Sequence, residues 1–230
     1  MYVKGKPVKF GYKVFVLASS CAYPFDFEIF TGKKIDSELP LGESVVQTLT
    51  QCLPNKSEHI IYMDRFFCST KTFRQCREDG LRCTGTAMES RIEKCPIMSK
   101  AAMKKLPRGS HIEFSNDEVV VCQWNDSRPV VAISNFESVN PVHSGSRWSR
   151  ADRKRIPVPI PHLIHNYNQY MGGVDLLDRF LSDYRPKLRN KKWWWNIFAN
   201  FLNMAVVAAW RLHRSLKGEM SHLNFGGKNK

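Results

Sequence analysis

The sequence has no long hydrophobic run. It contains no stretch of about 18 consecutive apolar side chains, the length that a membrane-spanning helix needs. The amino-terminal stretch MYVKGKPVKF also lacks the apolar core of a secretory signal peptide. We therefore expect no transmembrane helix.

Cysteine pairs of the kind that bind zinc are also absent. The seven cysteines are scattered, include no C-x-x-C pair and end at Cys122. An odd number of scattered cysteines favours a reduced, intracellular compartment, and it supports neither a disulfide framework nor a zinc finger.

Acidic side chains are few relative to basic ones. Lys and Arg total 35 against 21 Asp and Glu, which gives a net charge of +14. Such an excess favours a polyanionic partner, with nucleic acid as the first candidate and an acidic membrane surface as the second. Charge alone fits a ribosomal or structural protein equally well, so it indicates a class of partner and not an activity. Hydrophobic residues make up 43% of the chain, which is enough for a folded core.

Strand-like and helix-like segments alternate through residues 1–87. Two strands that can form a hairpin come first, followed by a helix, a strand, a helix and a strand; the six lie at 12–20, 23–32, 42–53, 59–64, 69–80 and 81–87. This order predicts an α/β fold around a mixed sheet flanked by helices. Chemistry in such folds gathers at the carboxyl ends of strands, and Asp64 lies at one such end.

Residues 88–160 are predicted to form a small β-rich insertion and a return linker. Three strand-like runs lie within 111–136, and the prolines of 156–161 make that segment extended. The polar stretch 143–155 is predicted either to clamp DNA or to form a disordered loop. Its basic residues are Arg147, Arg150, Arg153, Lys154 and Arg155.

Residues 161–218 predict helices, and residues 219–230 predict a disordered tail. Gly172 and Gly173 separate two of the helices, and a long helix is predicted over 191–218.

Aromatic and histidine side chains in this region have competing interpretations. Trp193, Trp194 and Trp195 start the long helix and point in three directions, so we expect at least one of them in the core and one facing DNA or a partner; the alternative is core packing alone. His162 and His165 lie near the acidic helix in sequence, but Mg²⁺ sites favour oxygen ligands, so we expect neither to bind metal.

Two aspartates follow the glycine pair in the stretch YNQYMGGVDLLDRF. Asp175 and Asp178 are three residues apart, so a helix places both carboxylates on one face. Carboxylates from a helix and from a strand end, such as that of Asp64, can converge on Mg²⁺, which prefers oxygen ligands. Each acid also has a purely structural interpretation. Asp175 and Asp178 would be stabilised by the helix dipole in the first turn of the helix, and Asp64 would cap a turn at the end of its strand.

Together these stretches resemble the piggyBac family of transposases and their host-domesticated descendants. The most specific pieces are MGGVDLLD followed by a tryptophan-bearing helix, and the acid, aromatic pair and Ser-Thr of DRFFCST. Further matches run in order from YVKGKPVKFGYKVFVLAS to KKWWWNIFANFLNMAVVAAW, and the insertion is matched least.

The resemblance implies a cut-and-paste DNA transposase with a ribonuclease-H-like core interrupted by the insertion. It assigns Asp64, Asp175 and Asp178 to the binding of two Mg²⁺ ions, for which Mn²⁺ can substitute. Water would attack at the element's end, and the freed 3′-hydroxyl would attack the opposite strand. The same hydroxyl, restored, would later join to a short T/A-rich target. The resemblance also implies a nuclear location, DNA as the partner and no membrane partner, and it leaves a homodimer open.

A basic strip follows the acidic pair. Its functional interpretation is a surface that tracks DNA phosphates beside the carboxylates, and the alternative is a solvated loop. The strip consists of Arg179, Arg185, Lys187, Arg189, Lys191 and Lys192.

Some parts of the family pattern have no counterpart in these residues. The family's first catalytic aspartate lies on a strand upstream of the match to YVKGKP, and the family's N-terminal DNA-binding region and cysteine-rich zinc module are not matched either. Mutation of residues that only hydrogen-bond to metal ligands costs ~10–100-fold in metal affinity or activity, so the loss of a ligand itself should cost at least as much. We therefore expect a fragment or a domesticated remnant, with the first core strand missing, that is inactive or weakly active. The alternative is a non-enzymatic DNA-binding or chromatin protein.

Overall fold

The protein forms two units, each with a hydrophobic core. The computed structural model describes residues 11–32, 39–93, 95–150, 152–183, 191–218 and 221–225. The first unit is drawn from Met1–Ser37, Thr48–Cys52 and Gly172–Lys230, and the second from Glu38–Gln47 and Leu53–Met171.

Strands and helices are spread over the whole described chain. The strands are β1 Val14–Ala18, β2 Pro24–Ile29, β3 Ile60–Met63, β4 Arg82–Thr86, β5 His111–Ser115, β6 Val120–Asn125, β7 Pro129–Ser134, β8 His143–Ser149 and β9 Lys154–Ile160. The helices are α1 Leu41–Leu49, α2 Thr70–Glu78, α3 Lys100–Met103, α4 His162–Tyr170, α5 Gly173–Asp183, α6 Trp195–Lys217 and α7 His222–Phe225. Within the described ranges, no helix is long and apolar enough to cross a membrane.

A five-stranded mixed sheet forms the centre of the second unit. Its strand order is β3-β4-β7-β6-β5, with β3 and β4 parallel and the other neighbours antiparallel. The β-branched and aromatic residues of these strands supply buried side chains such as Val121, Trp124 and Ile133. The predicted α/β class and mixed sheet are confirmed, and β3 is an edge strand among the residues that the structure describes.

The predicted hairpin near the start of the chain exists, but it is not part of the mixed sheet. β1 and β2 pair antiparallel and form a two-stranded sheet of their own. Val16 and Ala18 of β1 pack instead against a helical cluster of the first unit. The prediction of one sheet through residues 1–87 is therefore wrong for β1 and β2, because helices cover β1 and because β4 pairs with β7 from the predicted insertion.

The basic stretch before β9 is not a disordered loop. β8 and β9 pair in register from His143 opposite Ile160 to Ser149 opposite Lys154. Val158 and Ile160 are buried in the core of the second unit, which fixes one face of the hairpin. The boundaries proposed at 87, 160 and 218 stay predictions.

Helices α5 and α6 supply most of the core of the first unit. Its buried members are Ala22, Leu177, Leu181, Met204, Val207 and Trp210. α6 begins at Trp195, so the long helix starts later than the sequence predicts. The predicted disordered tail also needs correction, because His222–Phe225 form α7, in which the His222 ring stacks on Trp210 at 4.7 Å between centroids.

Candidate metal and nucleic-acid site

Asp64 lies at the carboxyl end of β3, in the parallel pair of the mixed sheet. Its side chain is exposed, and its Oδ1 accepts a hydrogen bond from the Arg65 backbone N–H at 2.7 Å. Its carbonyl oxygen accepts from the Phe67 N–H at 2.9 Å, which closes a tight turn. The backbone therefore fixes where the Asp64 carboxylate projects.

A buried thiol hydrogen-bonds to the backbone of this turn. Cys68 Sγ donates to the carbonyl oxygens of Met63, at 3.6 Å, and of Asp64, at 3.4 Å. Burial, and next the negative charge of Asp64, raise the pKa of the Cys68 thiol, so it stays protonated and remains a donor. Gly85, which pairs with Met63 across β3 and β4, makes room for the sulfur. A Cβ at Gly85 would collide with Cys68 Sγ and lie 2.6 Å from the Met63 carbonyl oxygen.

A buried carboxylate ties β3 to its neighbours. Glu137 is only 5% exposed, and it accepts hydrogen bonds from Tyr62 Oη at 3.1 Å, Asn166 Nδ2 at 2.7 Å and Thr84 Oγ1 at 2.6 Å. Burial, and next the Glu137 charge, raise the pKa of Tyr62. β3, β4 and α4 thus meet at one polar centre, two residues before Asp64. Glu137 is not among the predicted site residues, because the sequence around it gives no sign of burial.

Asp175 and Asp178 lie on the exposed face of α5. Leu177 and Leu181 are buried in the core of the first unit, and the amphipathic pattern of the helix leaves the two carboxylates exposed. The prediction that α5 carries both of them on one face is consistent with their i, i+3 spacing.

Only one glycine of the pair at the start of this helix lies too close to its neighbours to carry a side chain. A Cβ at Gly173 would collide with the carbonyl oxygen of Ser19 and lie 3.3 Å from Ser20 Cα, whereas a Cβ at Gly172 would meet nothing within 4 Å. The start of α5 therefore packs directly on the backbone of the β1–β2 turn. This contact explains why a glycine precedes the aspartates.

Only half of the predicted basic strip falls within the described residues. Arg179 is exposed on α5, next to Asp178, and Lys191 and Lys192 are exposed ahead of α6. Arg185, Lys187 and Arg189 lie outside the described residues.

The three tryptophans do not form a core. Trp193 is 71% exposed and Trp194 is also exposed, while Trp195 is half-buried and lies 5.6 Å from Phe198 between ring centroids. The outward position expected for one of them is thus found at Trp193 and Trp194, which precede the first turn of α6, whereas core packing of all three is excluded.

The histidines of α4 are engaged with one another. His162 Nδ1 hydrogen-bonds His143 Nε2 at 2.9 Å, and His162 Nε2 hydrogen-bonds Asn166 at 3.1 Å. The His165 ring stacks on His143 at 4.1 Å between centroids. Both ring nitrogens of His162 thus have partners inside the second unit.

The three candidate carboxylates belong to different units. Asp64 lies in the second unit, and Asp175 and Asp178 lie in the first. Within either unit, the described residues contain no group of three His, Cys, Asp or Glu side chains that could hold a metal ion. A joint site of the three carboxylates stays a prediction.

Comparison with known proteins defines the class of this chain. The model of the family described as Transposase IS4 matches residues 1–210. Because the match covers most of the sequence, the chain belongs to this transposase family.

The most informative relatives are piggyBac-derived. PiggyBac transposable element-derived protein 2 of Homo sapiens is 34% identical over 218 residues, covering 92% of this chain and 37% of the relative. PiggyBac transposable element-derived protein 3 of Homo sapiens is 32% identical over 222 residues, covering 93% of this chain and 37% of the relative. The predicted piggyBac resemblance is confirmed, and the chain spans little more than a third of these relatives.

A solved structure has a similar fold. The cryo-EM structure of the piggyBac transposase synaptic complex with hairpin DNA superposes with a TM-score of 0.77 and 21% identity, covering 98% of this chain and 46% of that one. At this level of identity the likeness supports the fold alone.

Proposed function

We propose that this chain is the transposase-type domain of a DNA-processing protein, with a ribonuclease-H-like core whose metal-binding carboxylates are Asp64, Asp175 and Asp178. The observation that carries the proposal is that all three are exposed on ordered elements, one at the carboxyl end of a parallel strand and two on one turn of a helix. Family membership supports the same assignment.

The donor set fits Mg²⁺, with Mn²⁺ as a substitute. Carboxylate oxygens are the hard ligands that Mg²⁺ binds in proteins, usually together with waters and substrate phosphate. When bound, a pair of such ions supplies the charge that activates an attacking oxygen and stabilises a leaving oxygen in phosphodiester cleavage and strand transfer. The role of the chain is to orient the three carboxylates, through the Asp64 turn and through the anchored face of α5.

DNA is the proposed partner. The net charge of +14 suits a polyanion, and the solved relative is in complex with hairpin DNA. Arg179 on α5, and Lys191 and Lys192 ahead of α6, are exposed cations that can contact phosphates. The proposal includes transposon ends as substrate, a T/A-rich target, a nuclear location and, as a further element, a homodimer.

Cleavage by these residues alone is expected to be weak or absent. The resemblance assigns a first catalytic aspartate that no acid in this sequence matches, so the proposed site has three carboxylates where the family uses more. The second candidate function is a non-enzymatic DNA-binding or chromatin protein that uses the same surface, because the net charge of +14 suits DNA binding with or without cleavage.

Metal titration separates the two candidates. Calorimetry with Mg²⁺ and Mn²⁺ should detect binding to the unchanged chain and its loss in Asp64→Asn, Asp175→Asn and Asp178→Asn. Asp117→Asn, an exposed acid in the β5–β6 turn, is the matched control and should bind normally. Absence of binding to the unchanged chain, or binding that survives all three changes, would support the non-enzymatic candidate.

A nicking assay tests the expected loss of cleavage. The chain, a matched element end and Mg²⁺ should give a stable protein–DNA complex with little or no strand cleavage. Robust cleavage would show that three carboxylates suffice and would overturn the expectation of an incomplete site.

A further inference from the structure

The β8–β9 hairpin ends in a concentration of positive charge. Between residues 147 and 155 the sequence has five basic residues and one acid, Asp152. Four of the basic residues are exposed at the turn and along the start of β9; we call them the outer basic residues: Arg150, Arg153, Lys154 and Arg155. In the part of the chain that the structure describes, none of the four takes part in an ion pair.

The base of this hairpin is firmly anchored. Trp124 Nε1 donates to the Pro159 carbonyl oxygen at 2.9 Å, and Arg108 Nη1 donates to the Trp148 carbonyl oxygen at 2.9 Å. Asp126 accepts from Arg108 Nε at 2.6 Å and from Arg147 Nε at 3.4 Å. Arg108 and Arg147 thus share one carboxylate, and these contacts fix the hairpin to the sheet.

The outer face of the hairpin combines charge with one large aromatic. Trp148 is 57% exposed and lies directly opposite Arg155 in the register. Asp152, the acid of the turn, accepts a hydrogen bond at Oδ2 from Ser149 Oγ at 2.6 Å. The remaining outward positions of the two strands are small or proline residues: Ser144, Ser146, Pro157 and Pro159. This face therefore offers Arg155 beside one indole, and the exposed Arg150 and Arg153 lie in the turn that closes the hairpin.

We propose that the β8–β9 hairpin is a DNA-contacting ribbon, in which the outer basic residues bind backbone phosphates of a duplex and Trp148 packs against the adjacent sugars or bases. A two-stranded β-ribbon fits the major groove of B-DNA, and cations on such a ribbon contact the flanking phosphates. An anionic membrane is disfavoured, because a single exposed indole gives too little apolar area for insertion. The proposal rests on the proposed function, since it takes DNA as the partner, and it adds a contact surface away from the three carboxylates in sequence.

The two kinds of contact predict different salt responses. Each phosphate contact adds about 0.9 to the slope of log affinity against log salt for duplex DNA, so the triple change Arg150→Ala, Arg153→Ala, Arg155→Ala should lower the slope by about 2.7. Trp148→Ala should weaken binding and leave the slope unchanged, because packing of an uncharged ring releases no counterions. Fluorescence anisotropy of the full chain with a short random-sequence DNA duplex, over a range of KCl concentrations, measures both.

A charge-matched variant is the control. Lys71→Ala, Lys104→Ala, Lys105→Ala removes three exposed cations elsewhere in the same unit and should leave the slope close to that of the unchanged chain. A thermal melt of each variant confirms that it folds.

The outcomes separate the hairpin from the wider proposal. If the unchanged chain binds DNA and the two triple variants lose slope equally, the hairpin has no special role and the inference is overturned, while DNA binding stands. If the unchanged chain does not bind duplex DNA, both proposals fall. Tighter, hairpin-dependent binding to an RNA duplex of the same sequence would also overturn the inference.

Discussion

Asp64 and the pair Asp175 and Asp178 are all exposed carboxylates, but the protein holds them in different ways. Asp64 depends on main-chain geometry, because a closed turn and two carbonyl oxygens bound by a buried thiol set its direction. Asp175 and Asp178 depend on side-chain packing, because buried Leu177 and Leu181 anchor α5 in the core. The strand-borne site should therefore be sensitive to small backbone changes, and the helix-borne site should tolerate them better.

The largest effect is expected at Gly85, in the support of the Asp64 turn. Gly85→Ala places a Cβ against Cys68 Sγ and the Met63 carbonyl oxygen, and overpacking of this kind costs about 1–3 kcal/mol, so we expect a value near the upper end. Chemical denaturation measures the loss.

A double-mutant cycle then identifies the collision at Gly85. Cys68→Ala removes the sulfur, so Gly85→Ala should cost less in that background, with the remaining cost due to the Met63 carbonyl. Equal costs in both backgrounds would rule out the sulfur as the cause.

Glu137 should give the next largest effect. Glu137→Ala leaves Tyr62, Thr84 and Asn166 without their shared acceptor, and buried polar groups left unpaired cost about 1–3 kcal/mol. Glu137→Gln keeps an oxygen for two of these donors and should be clearly milder. The free energies of unfolding of the two variants decide the point, and equal losses would show that the amide oxygen and the retained volume of Gln do not replace the carboxylate.

The helix-borne site is tested by its two glycines. Gly173→Ala forces the start of α5 away from Ser19, at an expected cost of about 1–2 kcal/mol because a helix end can shift. Gly172→Ala has open space and should be neutral or stabilise by about 0.4–1 kcal/mol. Thermal melts of the two variants measure the difference, and similar melting temperatures would contradict the close contact with the β1–β2 turn.

The smallest effects on stability are expected at the carboxylates themselves. Asp64→Asn and Asp175→Asn replace exposed side chains with others of the same shape, so unfolding free energies should change by about 0.5 kcal/mol or less. A loss of several kcal/mol in either of them would mean that the carboxylate has a structural role and would weaken its assignment to metal binding.

Local signals explain why the three aspartates could be predicted from sequence. Asp64 ends a short apolar run, and Asp175 and Asp178 have helical spacing after a glycine break, so periodicity and motif were enough. Glu137 gave no such signal, because an acid is buried only when donors from distant segments surround it. Its three donors come from residues 62, 84 and 166, which no local pattern connects.

Local sequence patterns also do not show which strands pair with each other. The runs that form β1, β2 and β5 to β7 were visible as strands, but pairing β4 with β7 requires contacts across about fifty residues, such as Thr84 opposite Ser134. Pairing of this kind depends on which hydrophobic face another element can cover, so β1 lies under helices instead of beside β4. Local patterns do not decide whether the basic stretch is ordered either, because its order comes from the burial of Val158 and Ile160 in the core of the second unit.

The sequence by itself determined the alternation of strands and helices, the excess of positive charge and the transposase family, because each of these depends on residue types and their spacing. Only the tertiary structure decided which strands share a sheet, that Glu137 is buried, that Gly173 and not Gly172 is needed, and that the β8–β9 hairpin is an ordered ribbon. These depend on contacts between residues far apart in the chain, and the free energy of such contacts exists only once the chain has folded.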